Sequence, residues 1–522
     1  MNIHRIITCR LTVFTFGLLG LFSVVVGPVR GQSRTTGAAK TQRQYFQEQI
    51  DEERKRFARE LEKLAAEVAD SGRAEDADLI RGLATPPESL PGGAIDQLPE
   101  SFLLEISKSV PADERDQQLQ LRTLRTEFAK ALFSISRKAL AVQPPHPGLA
   151  FQLIREAAYH DPDNKAARRA LGYTPYQERW TTAFAAQNLR QGKKWDSRWG
   201  WLNDRDRERY ESGLRLLDGH WVKAEEEATV CHHFKKAWTV ETEHFRIRTN
   251  HSQERGVELG VKLEDFHRFF LREFTAVFTS PAQLGRLLEG SNPEAAPKKY
   301  EIHYFRTRDE FIQQLRGKQN GVEVINGLYL PEDRKAYFFD DPTDPESNEE
   351  TLYHEVTHQL LGETSAKTLD VGKEHDFWVI EGIACYLESF ERRKNRLSAG
   401  DPRHVRIVRA YQRALNEHLY EPMRPFTVMS MREFQNAGGL PQLRAYYSQA
   451  AAMVHFFLNY ENGLYREEFL NYLGQVYSPV SGVRHNPKSL AQLTGVTFEV
   501  LDRQYLDYLA TLAAAAKRQP AD

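Results

Sequence analysis

The chain has 522 residues, and its 70 Lys and Arg offset 72 Asp and Glu to leave a formal charge of −2. So even a balance argues against nucleic-acid binding and against a charge-driven role at a membrane surface. The length predicts two or three domains, and a hydrophobic content of 41% allows a sizeable core.

Residues 1–31 read as a secretory signal. Arg5 and Arg10 give a basic start, residues 11–26 an apolar run, and Gly27, Pro28 and Gly31 break it. The run is short for a spanning helix, so cleavage is favoured over a retained anchor. Either way the rest of the chain is exported to the periplasm, the cell surface or the medium. No later stretch is long and apolar enough to span a membrane. Residues 32–98 form a linker and a charged segment. Within them, 42–69 favour a solvated or pairing helix, and the Pro- and Gly-bearing 71–98 read as a turn-rich join.

Residues 99–235 read as a helical and Trp-rich module. Leu121, Leu124, Phe128, Leu132 and Ile135 recur at near-helical spacing. Residues 148–164 resemble one tetratricopeptide-like helix closed by Asp161-Pro162-Asp163, without a clean repeat period. Trp180, Trp195, Trp199, Trp201 and Trp221 follow, interleaved with Gly, Arg and Asp. Tryptophan faces stack on sugar rings, but a small irregular module filled by large aromatics is the favoured reading. Cys231-His232-His233 reads as a polar linker, because no ligand cluster with zinc-site spacing lies nearby. Cys231 and Cys385 can pair, yet two cysteines make no disulfide framework.

Residues 236–516 form the next domain, and 517–522 a fraying tail. Alternation marks strands at 239–249 and 300–305, and 256–274 carry Leu259, Leu263, Phe266, Phe270 and Phe274 as an amphipathic helix. Residues 326–339 read as a hairpin. Then comes Tyr353-His354-Glu355-Val356-Thr357-His358. On a helix, His354 and His358 stack one turn apart on one face and can hold a single Zn²⁺, with Glu355 as general base on a bound water. Pro345, Ser347 and Glu350 mark the helix start, the latter two as a capping box, and Gly362 its stop. Glu381 follows on a second amphipathic helix, between apolar neighbours where a lone carboxylate is costly and a metal ligand is not. His354, His358 and Glu381 with a fourth position for water make a catalytic rather than a structural zinc set.

His354-Glu355-x-x-His358 followed by Trp378-x-x-Glu381-Gly382-x-Ala384-x-Tyr386 resembles the gluzincin metallopeptidases of the peptidase MA clan. The wider pattern, from Trp238 to Phe245 and again at Tyr447-Ser448-Gln449-Ala450, is similar to a domain of unknown function of planctomycete secreted proteins, DUF1570. The resemblance covers roughly residues 236–510. It implies an α+β fold: a helical N-terminal region, then a thermolysin-like zincin domain with a small mixed sheet, active-site helices and a mostly helical C-terminal part. It also implies that one strand of the 326–339 hairpin is a sheet edge that pairs with an extended substrate, because such an edge offers free N–H and C=O groups.

From the same resemblance, Tyr447 is the expected oxyanion donor, with Tyr446 and His455 behind it, and zinc peptidase activity on an exported peptide or protein is the expected function. One position departs from many relatives. The residue four after the third ligand is usually acidic and orients a zinc histidine; here it is Cys385, with Glu388 one turn further as a substitute. That departure leaves open a catalytically degenerate scaffold or binding protein, and a zinc hydrolase of a non-peptide amide is a further alternative.

Overall fold

The structure is a computed structural model that describes residues 42–87, 98, 100–103, 105–290, 299–364, 371–393, 396–436, 438–478 and 480–518. The expected signal segment, the start of the linker and the extreme C-terminal residues lie outside the described residues. The described fold is α+β, as expected, and no helix in it is long and apolar enough to cross a membrane.

The N-terminal half is built from α1 (Gln42–Asp70), α2 (Ala74–Gly82), α3 (Ala112–Ala141), α4 (Pro147–His160) and α5 (Lys165–Ala170). The charged α1 is not solvated all round. Phe46, Ile50, Phe57, Leu61, Leu64 and Val68 form a buried stripe against Phe128, Leu132 and Ile135 of α3. Part of the expected turn-rich join is also helical, because Ala77 and Ile80 of α2 plug into the same core.

The Trp-rich segment is regular, which corrects the expectation of an irregular module. It consists of three consecutive hairpin–helix units: β1 (Tyr173–Tyr176), β2 (Arg179–Thr182) and α6 (Ala183–Arg190); β3 (Lys193–Asp196), β4 (Gly200–Asn203) and α7 (Arg207–Glu211); β5 (Leu214–Leu217), β6 (His220–Lys223) and α8 (Ala224–Cys231). The units begin after Gly172, Gly192 and Gly213, whose φ values of 84°, 75° and 88° let each unit leave the preceding helix through a left-handed turn. Trp180, Trp201 and Trp221 hold the same position in β2, β4 and β6, and the recurrence is 20 or 21 residues. Trp201 packs on Trp195 and Phe184 and Trp221 on Tyr210 within the module, while Trp180 packs on Phe102 before it.

The second half is organised on a five-stranded sheet ordered β10-β11-β9-β8-β7, from β7 (Trp238–Glu241), β8 (Phe245–Thr249), β9 (Tyr300–Phe305), β10 (Gly327–Leu330) and β11 (Lys335–Phe339). The inner pairs β8–β9 and β9–β11 are parallel, and the outer hairpins are antiparallel. Side chains alternate across it: Ala336 and Phe338 join the main core, while Tyr337 and Phe339 face a smaller cluster with Phe311 and Leu315 of α11 (Arg308–Leu315). On the main-core side lies α9 (Gln253–Phe278), with Val257, Leu263, Phe266, Phe270 and Phe274 buried, while α10 (Pro281–Glu289) sends Leu284 and Leu288 into the N-terminal core.

The metal-motif helix α12 (Pro345–Thr364) lies on β10 and β11. It begins at Pro345, with the Asp344 carboxylate accepting the Ser347 N–H at 3.2 Å, so the cap is Asp344 rather than Ser347. Next come α13 (Phe377–Leu387), α14 (Val405–Tyr411), α15 (Met423–Thr427), α16 (Met431–Gln435), α17 (Leu440–Asn459) and α18 (Arg466–Val476), and the last helix spans Phe498–Arg518. Helices α13 and α17 touch at Gly382, where an added Cβ would lie 2.9 Å from the Ala450 carbonyl oxygen. That neighbour is backbone and cannot swing aside. Gly382→Ala is therefore expected to destabilise the fold by about 1–3 kcal/mol, read as a lower urea midpoint.

Candidate metal centre

The histidines of α12 meet Glu381 of α13 as the motif predicts. His354 Nε2 and His358 Nε2 are 3.2 Å apart, and Glu381 Oε2 lies 3.6 Å from the first and 3.7 Å from the second. A tetrahedral zinc with bonds of about 2.0–2.1 Å needs donors about 3.3 Å apart, so the trio fits with shifts of a few tenths of an ångström. Glu381 is 2% exposed, and its Oε2 makes no hydrogen bond within the described residues. An orphaned carboxylate oxygen there is costly unless a cation sits before it. Burial opposes its ionisation, but His358 and His354 outweigh burial and hold the carboxyl well below the usual range.

The start of α13 is held by a polar chain. Trp378 Nε1 donates to Tyr472 Oη at 3.2 Å, and Tyr472 Oη donates to Asp376 at 2.5 Å. Asp376 sits at φ 61°, an unfavourable region for a non-glycine residue, and turns the chain into the helix. His375 bonds to that same Asp376 and joins none of the possible metal groupings among the described residues.

Behind the donors, His354 Nδ1 lies 2.9 Å from Glu388 Oε1. Arg406 of α14 grips Glu388 through two bonds, Nε to Oε2 at 2.7 Å and Nη2 to Oε1 at 2.9 Å. Burial works against the Glu388 anion, and Arg406 with His354 more than compensates. The acidic support missing at position 385 is thus supplied one turn later. Cys385 is fully buried, and burial pushes its thiol up to about 11, so it is a neutral neighbour of His354. Cys231 and Cys385 are both free, not paired.

Glu355 accepts the Tyr329 N–H at 2.9 Å, which fastens the motif helix to β10, one of the sheet's two edge strands. The side chains of that edge are buried: Leu328 is 4% exposed, Tyr329 8% and Leu330 9%. Tyr447 lies buried on α17, where burial and then Glu381 raise its hydroxyl well above the ordinary tyrosine value and keep it a proton donor. Tyr446 packs instead against Phe426 and Phe434. His455 is committed elsewhere, Nε2 to the Gly400 carbonyl at 2.9 Å and Nδ1 to Tyr508 Oη at 2.8 Å, so it is no oxyanion donor. Sequence reading missed Arg406, which carries no local motif. It also missed Tyr477, buried in the main core, whose hydroxyl is raised by burial and by Glu381.

Residues 348–480 match a family model described as "Protein of unknown function (DUF1570)". The match runs from the motif helix past α18 and takes in His354, His358, Glu381, Glu388, Arg406 and Tyr447. No curated protein and no solved structure matches the chain.

Proposed function

We propose that the chain is an exported zinc-dependent peptidase of the gluzincin type, with His354, His358 and Glu381 as the metal ligands. The observation that carries this reading is the unpartnered Glu381 Oε2 facing two imidazole nitrogens at near-zinc spacing. Bound zinc supplies Lewis acidity, lowering the pKa of a coordinated water from 15.7 toward about 7 and polarising the scissile carbonyl. Glu355 takes the attacking water's proton and delivers it to the leaving amine. Tyr447, held neutral, donates a hydrogen bond to the developing oxyanion. Glu388 keeps the His354 Nδ1 proton engaged, so that Nε2 is the face offered to the metal.

Against a catalytically silent binding protein, the Glu388–Arg406 pair stands behind His354 where Cys385 offers no carboxylate. The test is metal analysis of the purified protein together with digestion of a general peptide library. His358→Ala is expected to lose one equivalent of zinc and all cleavage. Zinc in the wild type with no cleavage of any peptide or non-peptide amide would leave the binding reading in its place.

A further inference from the structure

The bond to Glu388 uses one edge of the Arg406 guanidinium and leaves another open. A guanidinium is planar and has two forked edges, one formed by Nε and Nη2, the other by Nη1 and Nη2. Glu388 fills the first, with Oε2 accepting from Nε at 2.7 Å and Oε1 from Nη2 at 2.9 Å. Arg406 makes no other hydrogen bond to a described residue, so both N–H groups of Nη1 and the second of Nη2 have no acceptor among them. The side chain is 27% exposed, so this second edge is not sealed into the core.

The open edge stands beside the proposed reaction centre. Glu388 Oε1 takes the Nη2 bond and also lies 2.9 Å from His354 Nδ1, so the guanidinium is two hydrogen bonds from a metal-binding histidine. Its carbon lies 5.9 Å from the ring centroid of Tyr447, the proposed oxyanion donor. Two parallel N–H groups match the paired oxygens of a carboxylate better than the single oxygen of an internal peptide carbonyl. Each residue of an extended peptide spans about 3.3–3.6 Å. A terminal carboxylate one or two residues past the scissile bond therefore falls within reach of a group placed this close to His354.

We propose that the open Nη1–Nη2 edge of Arg406 binds the C-terminal carboxylate of the substrate, and that the chain removes the last one or two residues of a peptide. This inference rests on the peptidase reading and narrows it to a carboxypeptidase. In the reaction the water oxygen bonds to the scissile carbonyl carbon and the C–N bond breaks. Glu355 relays the water's protons to the leaving nitrogen, which departs as an ammonium, and a new carboxylate is left on the shortened chain. The released fragment keeps its own carboxylate on Arg406 until it dissociates.

The experiment separates binding from cleavage. Zinc-loaded Glu355→Gln is titrated by calorimetry with a leucine-alanine hexapeptide, once as the free acid and once as the C-terminal amide. The acid is expected to bind about 10–100-fold more tightly, the range for a hydrogen bond between charged groups. Adding Arg406→Lys, which keeps a cation against Glu388 but has no fork, is expected to make the two affinities equal. Wild type is expected to release the last one or two residues from free acids in a hexapeptide library and to spare the amides. Circular dichroism checks the fold of the Arg406→Lys chain; should it fail to fold, the acid–amide comparison and the product masses carry the test. Equal affinity for acid and amide, binding of neither, or an acid preference that survives Arg406→Lys overturns the Arg406 site. Internal cuts at the same rate in acids and amides overturn the carboxypeptidase reading and leave the peptidase reading standing. Zinc-loaded wild type that cuts no peptide at all overturns the peptidase reading itself, while the acid preference of Glu355→Gln still decides the Arg406 site.

Discussion

Glu355→Gln is expected to lower peptide cleavage by about 10²–10⁴-fold, the range for removing a positioned general base, while leaving zinc content unchanged. The two readouts separate because Glu355 stands outside the donor trio. His354, His358 and Glu381 face one another at 3.2–3.7 Å, while the Glu355 carboxylate turns to the Tyr329 N–H at 2.9 Å. Glutamine keeps the volume and a carbonyl oxygen that still accepts from Tyr329, so α12 should stay on β10. What it loses is the capacity to take a proton near neutral pH. Peptide-library digestion and metal analysis of the same preparation check the point. Cleavage at the wild-type rate in the variant would assign the base to another group. Loss of zinc would mean that Glu355 holds the metal or the helix, not the proton.

The parts of the site that the sequence displayed are those set by short-range geometry. Histidines four apart on a helix must share a face, so His354 and His358 were readable once α12 was. Glu381 was readable because a carboxylate in the apolar run Trp378-Val379-Ile380 has few ways to be stable. The hairpin at β10 and β11 was visible through two short apolar runs on either side of its Pro331–Arg334 turn. Arg406 was not. It reaches Glu388 across 18 residues of chain, and an arginine on a short helix looks like any solvated cation until its partner is placed. The charged α1 concealed a buried stripe for a related reason: Phe46, Ile50 and Leu61 are sparse among Glu, Arg and Lys, so composition outweighed periodicity. The hairpin–helix repeat was masked because only its glycine and one tryptophan per unit recur, while the intervening residues differ. His455 misled because burial on α17 gives no hint that Gly400 and Tyr508 occupy both of its nitrogens.

Glu388→Ala is the variant expected to damage both the metal centre and the fold. The change strips His354 Nδ1 of its acceptor, and loss of such support typically weakens metal affinity by about 10–100-fold. It also leaves Arg406 without the carboxylate that grips it twice. Glu388 is 7% exposed and the Arg406 side chain 27%, so the pair is mostly withdrawn from water. Breaking a buried pair costs roughly 3–5 kcal/mol; the partial exposure of Arg406 and the attraction of nearby Glu350 place the expectation near the lower bound, about 3 kcal/mol. Chelator competition reads the first effect, and urea unfolding of the metal-free protein reads the second. Glu388→Gln should fall between, since its carbonyl still accepts from His354 but no longer neutralises Arg406. The sharper comparison is Glu388→Ala combined with Cys385→Asp. The Cys385 thiol already contacts His354 and feels the Arg406 charge, so a carboxylate there lies within reach of both. The double variant is expected to recover zinc affinity relative to Glu388→Ala. Affinity equal to wild type in Glu388→Ala alone would show that His354 is oriented by packing, and that the carboxylate behind it is incidental.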